Sequence, residues 1–241
     1  MLSDKEREPQ FSFNPLMMQI PGTEVFVEAI SDYSDSWFKE IMPLLPEKRR
    51  EKAERMRFME GKKIELLVGM LLHYALQEYG LSDWDVELSQ YGKPFIRRED
   101  GREPVYFSIS HTGPIAAVAI SRENALGLDI EEVKDDRIGI AGRFFKPDEN
   151  ELLKRIAASP ESGEKDADAA FIRLWTCKEA YGKLKGTGLN EGLSLSATPL
   201  IEAKNEAGRL IMEGERKISF SFGQYEKDGR SYLITLAREV I

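Results

Sequence analysis

Cysteine is almost absent from this chain of 241 residues. Cys177 is the only one, so no disulfide can form within the chain, which fits a reducing cytoplasm. Histidine is nearly as scarce: His73 and His111 are too few for a histidine- or thiolate-based zinc site. No apolar run approaches the roughly 18 residues of a membrane-spanning helix. The opening MLSDKEREPQFSF is charged where a signal peptide is apolar. Positive charge is in deficit as well, and a net charge of −8 argues against bulk nucleic-acid binding. The expectation is a cytoplasmic protein without nucleic-acid or membrane partners. At 41% hydrophobic residues the chain can bury a core as one large domain or two small ones.

What is present is ordered in a pattern that recurs. After a tail to about Gly22, EVFVEAIS alternates as a strand does. Two helical stretches follow: the basic Pro46–Lys63, PEKRREKAERMRFMEGKK, and KKIELLVGMLLHYALQEYG, which Gly80 stops. DWDVELS is a further strand, QYGKP is turn chemistry, and VYFSIS with IAAVAIS predicts a hairpin around His111-Thr112-Gly113-Pro114. The order then repeats. ALGLDIEEV is a strand, FKPDENELLKRIAA a helix opened by Pro147, ESGEKDAD a polar loop, and AAFIRLWTCKEAYGKL a helix ending at Gly186. KISFSFGQY and RSYLITLARE form a last hairpin. The expectation is an α+β fold of two similar halves, residues 1–124 and 125–241, meeting across a cleft that suits a ligand.

Several residues could carry chemistry, each beside a plainer reading. In LGLDIEEV, alternation puts Asp129 and Glu131 on one side of a strand and Leu128 and Ile130 on the other. Two acids on one face repel unless a cation lies between them, although a solvent-facing edge strand tolerates them. Glu179 and Lys183 lie one helical turn apart beside Gly182. As an exposed pair they are worth a few tenths of a kcal/mol. If their helix packs on the GLDIE strand, Asp129, Glu131 and Glu179 converge as oxygen ligands for a hard cation such as Mg²⁺, with Lys183 at hand for phosphate. His111 and Ser110 in the hairpin, and Lys93 in QYGKP, are either structural or anion donors. The basic helix is either a solvated face or an anion site. GKLKGTG follows a helix and lacks Walker spacing, so it reads as a helix stop. Cys177 reads as a small buried hydrophobe.

Taken in order, QYGKP, FSISHTG, LGLDIE and LWTCKEAYGKLKGTGL resemble the surfactin-synthetase-activating type of 4′-phosphopantetheinyl transferase, over about Leu45 to Leu189. That resemblance implies a monomer with a pseudo-twofold α+β fold and coenzyme A bound between the halves. It implies transfer of the phosphopantetheine arm to a serine of an apo acyl, peptidyl or polyketide carrier protein, with release of 3′,5′-ADP. Asp129, Glu131 and Glu179 would hold Mg²⁺. Lys183 would contact the pyrophosphate, and Glu131 or a water would take the serine proton. His111, Ser110 and Lys93 would bind coenzyme A phosphates, and Lys48 and Lys52 the 3′-phosphate. One departure stands out. Where the family often has an arginine early in the second helix this chain has Glu65, so that Lys62 or Lys63 would substitute. Another Mg²⁺-dependent transferase, or a coenzyme A-binding module without activity, are the rival readings.

Overall fold

The computed structural model describes residues 15–20, 22–81, 86–96, 104–160, 163–203 and 209–240. Strand β1 (Leu16–Ile20) is joined to β2 (Thr23–Ala29) across Gly22, at φ 72°. Helix α1 (Asp35–Ile41) starts at Ser34, whose hydroxyl accepts from the Trp37 N–H. The basic stretch forms α2 (Glu47–Glu54) and the first turn of α3 (Met59–Glu78). Strands β3 (Val86–Leu88) and β4 (Pro94–Ile96) flank QYGKP; the expected strand's opening Asp83, Trp84 and Asp85 lie outside the described residues. The hairpin β5 (Tyr106–Thr112) and β6 (Ile115–Ser121) follows, with Thr112 opposite Ile115 and His111 opposite Ala116.

The second run begins with β7 (Leu126–Glu132), α4 (Pro147–Ala157) and α5 (Glu164–Lys185). Short helices α6 (Leu189–Gly192) and α7 (Thr198–Glu202) precede β8 (Leu210–Glu213), β9 (Arg216–Lys227) and β10 (Arg230–Val240). Among the described residues all strand pairs are antiparallel. One four-stranded sheet has the order β1-β2-β6-β5, a second has the order β7-β10-β9-β8, and β3 and β4 form a separate two-stranded pair.

Burial explains the layering. Phe26, Val118 and Ile120 face the first sheet's helices, where they pack with Ile41, Leu67 and Leu71. The alternate residues Val25, Val27, Ala117 and Ala119 face the second sheet and meet Leu128, Ile130, Ile234 and Leu236. That sheet's far side packs on α5 through Leu233, Ala237, Leu174 and Ala180. The order is helices, sheet, sheet, helices. It accounts for IAAVAIS, which is buried on both faces and so reads as a continuous apolar run. Each large aliphatic side chain in the seam between the sheets contributes about 1.5–3 kcal/mol by leaving water.

Several elements differ from expectation, among them the short β4, α6, α7 and β8, which the sequence reading did not place. The tail contains β1. Helix α1 follows β2, where no element was expected. Helix α5 begins at Glu164, inside the stretch read as a polar loop, because Glu164 and Asp166 in its first turn complement the positive helix N-terminus.

Candidate active site

The site lies where the two sheets abut without sharing a ladder. Strands β5 and β7 are sheet edges lying side by side, and every second residue of β5 carries a hydroxyl towards β7. Ser108 Oγ accepts from the Leu128 N–H at 3.0 Å, and Ser110 Oγ from the Ile130 N–H at 3.3 Å. The same Ser110 hydroxyl donates to Asp129 Oδ1 at 2.8 Å, and Thr112 donates to Glu131 Oε2 at 2.9 Å. Side chains thus satisfy edge N–H groups that a ladder would otherwise pair. The alternate residues Ile109 and His111 face the other way, into a cavity beside α2 and α3.

Helix α5 approaches β7 closely. A Cβ on Gly127 would overlap the Ala180 carbonyl and the Leu184 backbone, so only glycine fits there. That approach brings Lys183 Nζ to 2.7 Å from Asp129 Oδ1 and 2.9 Å from Ser110 Oγ. Lys183 therefore pairs with Asp129 rather than with Glu179 one turn earlier. The Gly-Thr-Gly stretch ends the helix at Gly186, φ 73°, and folds back so that the Gly188 carbonyl lies against Gly182.

Asp129 is 3% exposed, and its second oxygen, Oδ2, has no hydrogen-bond partner. Burial raises the carboxyl's pKa against the opposing pull of Lys183 and Ser110. Burial also raises Glu131, helped by the charges of Asp129 and Glu179 and opposed by Thr112 and Lys183. Glu179 is raised by burial and by Asp129. The three acids feel one another's charge. Among the described residues, however, no three His, Cys, Asp or Glu side chains already stand close enough to hold a metal ion.

On the other side of Lys183, a small cavity of about 210 Å³ joins one of about 470 Å³ through shared Gly92, Pro94 and Ile109. The larger is lined by Lys48, Arg49, Lys52, Glu65 and His111, over an apolar wall that includes Val68 and Ile109. His111 reaches solvent at its edge, yet the protein around the ring lowers its pKa, with Lys52, Lys183 and Arg49 acting the same way and Glu65 opposing. A neutral imidazole offers one donor and one acceptor.

Some expected ligand residues are engaged elsewhere. The Lys93 ammonium donates to the carbonyls of Leu184 at 3.0 Å and Leu126 at 3.4 Å, tying the QYGKP turn to α5 and β7. The Ser110 hydroxyl is taken up by Asp129, Lys183 and the Ile130 N–H. Lys52 is paired with Glu65 at 2.7 Å. Lys63 is paired with the exposed Asp35 of α1. Sequence reasoning did not single out Arg49, Ser108, Lys178 or a task for Thr112. The period-two hydroxyls of FSISHT were the available signal for Ser108 and Thr112. Cys177 is fully buried and pushed up to about 12, an inert thiol as expected.

An α+β protein with a carboxylate–lysine centre at a sheet seam, opening on a cationic cavity, has the form of an enzyme. Comparison with known proteins narrows that class. Residues 125–237 match the model of the 4′-phosphopantetheinyl transferase superfamily. The chain is 33% identical to the 4′-phosphopantetheinyl transferase psf-1 of Bacillus pumilus over 168 residues, 68% of this chain and 67% of that one. It is 30% identical to the transferase ffp of Bacillus subtilis over 177 residues, 72% of each. With HetI of Nostoc sp. it shares 32% over 154 residues, 62% of this chain and 61% of that one. The chain belongs to the 4′-phosphopantetheinyl transferase family, a family of transferase enzymes.

Proposed function

We propose that this protein moves the 4′-phosphopantetheine arm of coenzyme A onto a serine hydroxyl of an apo acyl, peptidyl or polyketide carrier protein, with Mg²⁺, releasing 3′,5′-ADP. The observation that carries the reading is the orphaned Asp129 Oδ2, buried beside Lys183 in a chain of this family. A buried carboxylate oxygen without a donor is costly, and a hard cation relieves that cost. Asp129, Glu131 and Glu179 would hold the ion with water and pyrophosphate oxygens, a donor set that suits Mg²⁺. When bound, the ion neutralises pyrophosphate charge as a Lewis acid.

The chain's own groups supply the rest. Glu131, or a water held beside it, accepts the proton of the carrier's serine. The serine oxygen bonds to the phosphorus that bears pantetheine, and the bond from that phosphorus to the bridging oxygen breaks. The electron pair leaves with 3′,5′-ADP, whose new charge faces the Lys183 ammonium. No protein nucleophile is needed. The cavity of about 470 Å³ receives the nucleotide end, with Lys48 and Lys52 towards the 3′-phosphate and His111 beside it. Ser110 and Lys93 serve the ligand by holding Asp129, Lys183 and the end of α5 in place. A groove of about 240 Å³ next to Glu131, walled by Ile140, Phe144 and Trp175 with Lys134 and Arg137, gives the carrier its approach.

The reading extends to architecture. We take residues 1–124 and 125–241 as halves related by a pseudo-twofold axis. The matching strand orders β2-β6-β5 and β7-β10-β9, each with its helices on the outer face, support it. The reading includes a cytoplasmic monomer; a single buried thiol accords with a reducing compartment. The test is to incubate the protein with coenzyme A, Mg²⁺ and an apo acyl carrier protein and to weigh the carrier. The carrier should gain the phosphopantetheine mass only with both coenzyme A and Mg²⁺. An unchanged carrier, across fatty-acid, polyketide and peptide-synthetase types, overturns the proposal.

A further inference from the structure

The acid at position 65 lies inside the cationic cavity, and its surroundings show what it does there. Glu65 is 3% exposed on α3, with both oxygens occupied: Oε2 by Arg49 Nη1 at 3.0 Å, Oε1 by Lys52 Nζ at 2.7 Å. One turn later, Gly69 has no side chain, and the Arg49 stem lies where its Cβ would be, so α2 settles against α3 with Arg49 directed onto the carboxylate. Arg49 is largely covered, whereas Lys52 keeps about half its surface in solvent. Each cation gives one contact to Glu65 and retains further N–H donors. Lys48, Arg49 and Lys52 against Glu65 leave the lining at a net charge of +2. That complements a phosphate monoester, which carries about −1.5 to −2 at neutral pH.

We propose that Glu65 is a positioning residue for the 3′-phosphate of coenzyme A: it clamps Arg49 and Lys52 side by side as a preorganised receptor for a dianion. The inference rests on the reading of this cavity as the nucleotide end of the coenzyme A site. It assigns Arg49 to phosphate recognition and gives the acid a constructive role. A flexible cation must lose side-chain freedom when it grips phosphate, and a cation already held by a carboxylate loses less.

Calorimetric titration with 3′,5′-ADP and 5′-AMP tests the clamp directly. The wild type should prefer 3′,5′-ADP, and Glu65→Gln should cut that preference roughly tenfold or more, as for the loss of a charged hydrogen bond. Arg49→Met should do the same. Adding Glu65→Gln to a variant that carries both Arg49→Met and Lys52→Met should cost little further, because the carboxylate acts through these two cations. In turnover, Glu65→Gln should raise the KM for coenzyme A relative to dephospho-coenzyme A and leave kcat in place; a general structural lesion would lower kcat for both. Glu65→Asp, with its charge kept but its reach shortened, should fall between wild type and Gln. If Glu65→Gln binds 3′,5′-ADP as tightly as wild type or more tightly, the acid merely opposes the phosphate and the inference fails. If Glu65→Gln melts below the assay temperature, the Asp variant decides: an undiminished preference overturns the clamp. A wild type with no preference refutes instead the underlying assignment of the cavity.

Discussion

Lys178 and Lys183 stand on the same helix, little more than a turn apart, and each forms an ion pair with a buried acid. Lys178 and Glu149 are both fully buried at 2.9 Å, and the lysine also donates to the Leu195 carbonyl. Glu149 accepts from the Ala197 and Lys146 N–H groups in addition. Both of its oxygens are satisfied, and the pair fastens α5 to α4 and to the segment before α7. At Lys183 the pair is incomplete. Its side chain is 30% exposed, and Asp129 keeps one buried oxygen with no donor. A closed polar network fixes a fold, while an open one at a cleft leaves bonding capacity for a ligand.

That contrast is broken or sharpened by four variants. The largest effect is expected for Asp129→Asn, which should abolish phosphopantetheine transfer while the melting temperature holds or rises; ordinary turnover at modest Mg²⁺ would sink the assignment. Lys178→Met should act on the opposite quantity. Stranding Glu149 should cost about 3–5 kcal/mol of stability, read from denaturant unfolding, and a loss below about 1 kcal/mol would show the closed pair to be dispensable. Glu179→Gln should raise the Mg²⁺ concentration for half-maximal activity several-fold, since a neutral amide is a poorer ligand for a hard cation; an unchanged Mg²⁺ curve would remove Glu179 from the site.

The smallest effect concerns Glu131→Gln in the ligand-free protein. The folded-state pKa of Glu131 is raised by burial and by Asp129, so its stabilising contribution is full below the unfolded value and is lost as pH rises through the folded one. At pH 7–8 the glutamine variant should therefore be the more stable, with a higher Tm. The difference should vanish at pH values below the ordinary glutamate range. A lower Tm at pH 8 would mean that the carboxylate is stabilising.

Where the sequence was readable, local physics and tertiary structure agreed. Strand alternation alone separated Asp129 and Glu131 from Leu128 and Ile130, because the seam covers one face of β7 and α5 the other. Gly186 marked the end of α5, because a left-handed cap favours glycine. The order of the longer elements was legible for the same reason. Partnerships were not. Lys93, Lys178 and Lys183 look alike as lysines, yet they meet carbonyls, a buried glutamate and an aspartate only once distant elements pack. The basic helix showed its charge but not its geometry, which depends on α3 through Gly69 and Glu65. Helix α1 lacks a long periodic stripe and is held by Phe38 and Ile41 in the core beside the first sheet, a tertiary effect.

The most direct test of the distinction between the two lysines is the rate of carrier modification by Lys178→Met and Lys183→Met, measured side by side at a temperature where both are folded. Removing a contact to charge that develops on a leaving group commonly costs about 10²–10³ in rate. Lys183→Met should lose that much in kcat, and Lys178→Met should turn over near the wild-type rate. Equal losses, or the greater loss at Lys178, would contradict the account.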